Sequence, residues 1–191
     1  MRVYSDKGYS LLDTLPLRQI SCAQHATASA KAVYDTLNAK ARLRGSAVTG
    51  FNLPTEAQWE RAARAGVAAT CMWGDSWNEA EAHARGNCRG TAALAEAGMF
   101  QPNDWGFYDM IGNVSEWTCE CEGSRYYDYG DAENPVVDPK TATSSFFYYI
   151  RGGDHSQTSW TYFTPGYRTS AYSYADGNAL VGFRLCRTVG E

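Results

Sequence analysis

Apolar positions recur at helical spacing in the first third of the chain and lose that rhythm afterwards. In SCAQHATASAKAVYDTLNAKARLRG, residues Ala26, Ala30, Val33, Tyr34 and Leu37 fall on one face. This predicts a helix over 23–42, ended by Gly45. A second helix is predicted in LPTEAQWERAARAG. Thr55 and Gln58 have the spacing of a capping box, Trp59, Ala62 and Ala63 form the apolar face, and Gly66 ends it. Beyond Gly66 turn residues and aromatics multiply. MWGDSWNEAEAHARGNCRG reads as loop with one helical turn. Short strands are expected near 107–110, 114–120, 146–151 and 182–187, with another near Leu17–Ser21 in an otherwise irregular start. The polar stretch 124–145 reads as a surface loop. Two helices followed by short strands and long loops predict an α+β domain with no internal repeat and no dividing linker.

Composition narrows the function classes. The 191 residues suffice for one domain with a core, and 44% hydrophobic with 20% charged residues is a globular balance. A net charge of −4 lacks the basic footprint of a nucleic-acid binder, so no nucleic-acid partner is expected. No apolar run approaches the ~20 residues of a membrane helix, so no membrane insertion is expected. MRVYSDKGYS has no apolar h-region and reads as no secretory signal. Cys22, Cys71, Cys88, Cys119, Cys121 and Cys186 show no CxxC spacing, and the three histidines no HxxxH, so zinc is not inferred. On a strand, Cys119 and Cys121 would point to the same face about 7 Å apart, too far for an easy mutual bridge.

The C-terminal segment changes the picture most. Between Asp154 and Val181 stand Ser156, Thr158, Ser159, Thr161, Tyr162, Thr164, Tyr167, Thr169, Ser170, Tyr172, Ser173 and Tyr174. No Lys or Glu occurs from Thr141 to Gly190. Tyr offers large rigid contact area at low entropic cost, and Ser, Thr and Asn offer adaptable hydrogen bonds, as in antibody paratopes. Polar loops are common in any fold, yet Trp160, Tyr162, Phe163, Tyr167, Tyr172 and Tyr174 crowd this one.

A succession of motifs carries a family resemblance: FNLPTEAQWERAARAG (51–66), MWGD (72–75), RGNC (85–88), QPNDWGFYDMIGNVSEW (101–117), IRGGD (150–154) and GFRL (182–185). In this order they resemble the formylglycine-generating-enzyme, or sulfatase-modifying-factor, family across roughly residues 20 to 187. The resemblance implies an α+β C-type lectin-like fold, two helices packed on short antiparallel strands with long irregular loops. The domain is expected over 21–191. Residues 1–20 are read as a lead-in, truncated or replaced, because the family's first strands are not evident there.

The activity does not follow from the resemblance. Family enzymes bind copper through two cysteines shortly after the RGG motif, because copper(I) prefers soft thiolates. The matching positions fall near Gln157 and Tyr162, and no cysteine lies between Cys121 and Cys186. The family's iron-dependent branch needs a histidine cluster that His25, His83 and His155 do not provide. No catalytic residue is assigned. Calcium is the one cofactor the resemblance leaves open. The GNVWE motif reads GNVSE here, with Ser115 for Trp, and Glu116 is the metal candidate. A buried glutamate capping a turn is the alternative. QPN at 101–103 looks like the tripeptide of calcium-dependent lectins, but its WND partner is absent.

The chain also resembles the variable proteins of diversity-generating retroelements, whose segment between RGG and GFRL is recopied with template adenines miscopied. AAY codons altered at their first two bases never yield Lys, Glu, Gln, Met or Trp. Gln157 and Trp160 would then be fixed. The resemblance implies a non-catalytic display domain with a variable region over 154–180. Its ligand would be a macromolecule, a protein or cell-surface molecule, met at a bacterial surface or phage tail. The expected ligand-binding face is His155, Ser156, Thr158, Ser159, Tyr162, Tyr172, Tyr174, Asp176 and Asn178. The expected scaffold is Arg151, Gly152, Gly153, Arg168, Gly182, Phe183 and Arg184. A family domain with one fixed structural or partner-binding role, and a metal-dependent oxidase, are the other classes open. The family's usual bridge from first helix to last strand has only Cys22 and Cys186 near it, both displaced, and is not assigned.

Overall fold

The computed structural model describes residues 2–4, 9–12, 26–43, 48–88, 90, 93–121, 147–172 and 180–189. The elements in chain order are β1 (Arg2–Tyr4), β2 (Tyr9–Leu12), α1 (Ala26–Leu43), β3 (Val48–Asn52), α2 (Glu56–Arg64) and α3 (Glu79–Arg85). They are followed by β4 (Ser115–Cys121), β5 (Phe147–Arg151), a 3-10 turn (Trp160–Phe163), β6 (Arg168–Tyr172), β7 (Val181–Phe183) and β8 (Cys186–Val189). The strand expected at Leu17–Ser21, the excursion 124–145 and Cys22 lie outside the described residues.

Two four-stranded sheets form. One has the order β1-β2-β8-β3, the other β6-β5-β4-β7. All pairings are antiparallel except β4 with β7, which run parallel with Glu116 opposite Gly182. β2 pairs with β8, so the first residues, expected to be irregular, join the sheet that the C-terminus completes. The strand expected over 182–187 is two strands, broken at Arg184 and Leu185, that serve different sheets.

Local chemistry explains most elements. Thr55 caps α2 as expected: its hydroxyl accepts the Gln58 amide N–H, and the Gln58 side chain accepts the Thr55 amide N–H. Asn78 caps α3 by accepting from the amides of Ala80 and Glu81, which gives a two-turn helix where one turn was expected. No strand forms over 107–110. The Asn103 side chain accepts from the amides of Trp105 and Phe107 and donates to the carbonyls of Ala62 and Ala63. It holds this segment as a loop against α2, and Asp109 adopts a left-handed φ of 52°. Phe107 and Met110 are buried from that loop rather than from a strand. The Asn103 amide is thereby committed to α2, the role that displaces the lectin-tripeptide resemblance.

Two clusters form the core. Leu53, Trp117, Ile150, Val181, Phe183 and Leu185 pack between the sheets, with Val33 and Leu37 of α1 against them. Asn38 locks α1 to β3 by exchanging two hydrogen bonds with the Phe51 backbone. The second cluster joins Trp59, Ala62 and Ala63 of α2 to Met72, Phe107, Met110, Ile111 and Phe163. It lies under the segment that follows β5.

Glu120 is fully buried on β4, and its Oε2 accepts the amide N–H of Glu56 at 2.8 Å. Burial pushes its carboxyl up to about 7; the amide hydrogen bond from Glu56 opposes this, and the Glu56 charge adds to it. The native state therefore keeps a proton that the unfolded chain has lost. This contribution is complete below the unfolded carboxylate pKa and is lost as pH rises through about 7. Relative to wild type, Glu120→Gln should gain on the order of 1–3 kcal/mol of stability between about pH 5 and about pH 8. Urea denaturation across that range measures it, and an unchanging difference would refute the assignment.

Candidate functional site

The segment after β5 is held at its base by one guanidinium. Arg151, the last residue of β5, is buried at 1% exposure. It donates to Glu60 Oε2 at 2.5 Å and lies 3.7 Å from Glu56 Oε1. Its other N–H groups donate to the carbonyls of Pro165, at 3.0 Å, and Tyr167, at 3.0 Å. The face of Trp59 lies beside it, 5.5 Å away. Arg151 thus binds the exit of the loop, at 165–167, to its entrance and to α2. Arg168, first residue of β6, pairs with Glu56 at 2.5 Å and stacks on Tyr149.

Gly152 and Gly153 both have positive φ, 93° and 69°. A Cβ on Gly152 would lie 3.2 Å from the Trp59 ring, and one on Gly153 2.8 Å from the Tyr162 carbonyl. The backbone therefore turns inward closely enough for Asp154 to be buried. Asp154 Oδ1 accepts from the Ser156 amide and hydroxyl, and its own N–H donates to the Gln157 side chain. The 3-10 turn then drives Phe163 into the second core cluster. Both ends are pinned, while Ser156, Thr158, Ser159, Trp160 and Thr161 are exposed between them.

The expected face is only partly assembled. Ser156, Thr158 and Ser159 are exposed as expected. His155 is not: it is buried, because the turn after Asp154 lays it against the 111–113 loop, where its N–H donates to the Asn113 carbonyl. Tyr162 is half-buried, edge-on to Tyr167 at 5.0 Å. Tyr172 ends β6, opposite Phe147 in register. Tyr174, Asp176 and Asn178 lie outside the described residues. The face also contains residues that sequence reasoning left off it. Trp160 is 45% exposed, and its ring lies 6.2 Å from Trp77, which meets Trp73 at 5.4 Å. The crowding of tryptophans around MWGDSW was the available signal, but nothing in sequence placed 73–77 beside 160.

The other end of the segment is closed by a second buried ion pair. Arg184 donates to both oxygens of Glu116, at 2.5 and 2.6 Å, and to the carbonyls of Tyr108 and Asp109. Trp59 Nε1 donates to Glu116 Oε2 at 2.7 Å. The Arg184 guanidinium stands where a cation would be needed, so the Glu116 carboxylate does not fit a calcium site in this arrangement. Gly182 gives β7 close passage, since a Cβ there would lie 3.1 Å from Val114, and Phe183 fills the first core cluster.

Copper does not fit either. Gln157 and Tyr162, near which the expected copper positions fall, offer an amide bonded to Asp154 and a phenol, not thiolates. Burial pushes the thiols of Cys88 and Cys186 up to about 12 and that of Cys119 higher still, so these stay protonated. Among the described residues no group of three or more His, Cys, Asp or Glu could hold a metal ion.

The chain is 40% identical over 124 residues to the formylglycine-generating enzyme of Mycobacterium tuberculosis, a match covering 56% of this chain and 40% of that protein. It is 33% identical over 118 residues to that of Streptomyces coelicolor, covering 36% of its length. The chain thus spans about two-fifths of these curated relatives. Among solved structures, Treponema denticola variable protein 1 superposes with a TM-score of 0.56 at 26% identity, over 72% of this chain and 48% of that one. PvdO from Pseudomonas aeruginosa superposes with a TM-score of 0.62 over 98% of this chain and 71% of that one; at 23% identity it shows the fold alone. The fold is the C-type lectin-like fold shared by these proteins. The profile of the sulfatase-modifying factor enzyme 1-like domain matches residues 9–189, and the chain belongs to that family.

Proposed function

We propose that this chain is a non-catalytic display domain that binds a macromolecular ligand, a protein or cell-surface molecule, through the face around Ser156–Thr161, and that a retroelement diversifies that face. One observation carries the reading: an exposed run of Ser, Thr and Trp is suspended between ends pinned by Arg151 and Phe163. Such a frame tolerates exchange of Thr158, Ser159 and Thr161, whose exposed side chains do not support the core. Gln157 and Trp160, which adenine miscopying cannot produce, have reasons to be constant. Gln157 holds the Asp154 turn, and Trp160 packs toward Trp77. Similarity to a protein named a variable protein supports the reading. A bacterial surface or phage tail is the setting in which such a face would meet its ligand.

The test is the DNA adjoining the gene. A near-copy of the 154–186 coding segment, differing where the copy has adenine and lying beside a reverse-transcriptase gene, is expected. Absence of both, with no variation confined to 154–180 among sister isolates, would leave a family domain with one fixed partner. A protein-level prediction accompanies it. Ser159→Tyr and Thr161→Tyr should each change unfolding free energy by less than about 0.5 kcal/mol. Larger losses in thermal or urea melts would mean that these positions support the fold.

A further inference from the structure

The exposed Ser156–Thr161 run borders a cavity of about 370 Å³ lined by Glu79, His83, Cys88 and Thr158. That volume is at the lower end of ligand pockets, the scale of one side chain or small group rather than a cofactor. The segments that line it also supply the neighbouring aromatic surface. Trp77 immediately precedes the α3 cap, and Trp160 follows Thr158 by two residues, their rings 6.2 Å apart. The Glu79 carboxylate at the mouth is 76% exposed and bonds His83 at 3.1 Å. Gly90, at φ 61°, approaches Thr158 closely, and a Cβ there would stand 2.8 Å from the Thr158 methyl group.

Charge decides what such a place would take. Of the residues lining the cavity, Glu79 is the carboxylate and none is Lys or Arg; Arg85 on the same helix is taken up by Glu81 at 3.6 Å, and residues 152–167 contain Asp154 with no Lys or Arg. Indole faces beside a carboxylate attract a cation, both by the ring quadrupole and by direct charge. We infer that this cavity, with the Trp77–Trp160 pair supplied by the adjoining segments, receives an arginine or lysine side chain presented by a protein partner, with Glu79 as the counter-charge. The inference names the partner chemistry of the display face proposed above and rests on that reading. It also assigns a constant anchor, Trp160, to a face whose other exposed residues vary, so that different partners would share one basic side chain.

The probe is N-acetyl-arginine amide, with N-acetyl-citrulline amide as its uncharged counterpart. Titration is followed by the indole N–H signals of Trp77 and Trp160, assigned with Trp77→Phe and Trp160→Phe. Saturable shifts of these signals by the arginine probe are expected. Glu79→Gln should weaken the response at least about threefold, and so should added salt. Glu79 is exposed, so that variant should fold, and its melting curve checks this. Equal response to citrulline, or no saturable shift with either probe, would overturn the inference. The DNA test is independent. A template repeat with a silent probe would retain the display reading and remove this site; a bound probe without a repeat would do the reverse.

Discussion

Arg151→Met is expected to destabilise the protein by roughly 3–5 kcal/mol, a large share of the stability of a domain this size. Removing the guanidinium takes one of two cations from each of two carboxylates, leaving Glu56 with Arg168 and Glu60 with Arg64. Glu56 is 1% exposed, and Glu60 would lose its 2.5 Å contact. The carbonyls of Pro165 and Tyr167 would lose their donors at the same time, so the loop exit would detach from α2. Lysine should not rescue it, because one ammonium cannot replace a planar fork that reaches a carboxylate and separate carbonyls. Urea unfolding of Arg151→Met and Arg151→Lys tests this. A loss below about 1 kcal/mol for Arg151→Met would mean that the clamp does not hold the segment.

Gly153→Ala should cost about 2–4 kcal/mol and disorder the exposed face with it. Its φ of 69° is a region that L side chains rarely adopt, and the new Cβ would meet the Tyr162 carbonyl and Gln157 Oε1, each at 2.8 Å. The carbonyl is backbone and cannot rotate away, so the 3-10 turn carrying Phe163 must shift. Ser159→Ala, only six residues on and exposed, should change little. Hydrogen exchange of amides 154–163 separates the outcomes. Protection lost in Gly153→Ala but kept in Ser159→Ala is expected, and equal protection in both would show that the frame is looser than its contacts indicate.

Elements governed by near neighbours are legible in the order of residues alone. The Thr55–Gln58 box announces α2 because both hydrogen bonds close within four residues. The α1 periodicity is visible because a helix shows its buried face every three to four positions. Strands β1, β2 and β6 are not legible in this way. Each is three to five residues long; among the described residues β1 pairs only with β2, β2 needs β8 at the far end of the sequence, and β6 lies in a polar run. The 107–110 segment misleads because a short apolar and aromatic run is a strand only when a neighbour completes its hydrogen bonds; here the Asn103 side chain takes the amides of Trp105 and Phe107 instead.

Family membership, the C-type lectin-like fold and the absence of cysteine at the copper positions were all present in the sequence, since each depends on residue identity and order. Which side chains face outward depended on contacts between segments far apart in the chain. The turn after Gly153 buries His155, although its composition is that of an exposed loop. Glu116 reads as a metal ligand until Arg184, 68 residues later, claims both its oxygens. Trp77 and Trp160 become one surface only because the second core cluster brings Phe163 beneath Trp77. Residue type sets what a side chain can do, but long-range packing sets which water, charge or ring it meets, and only the tertiary structure decided that.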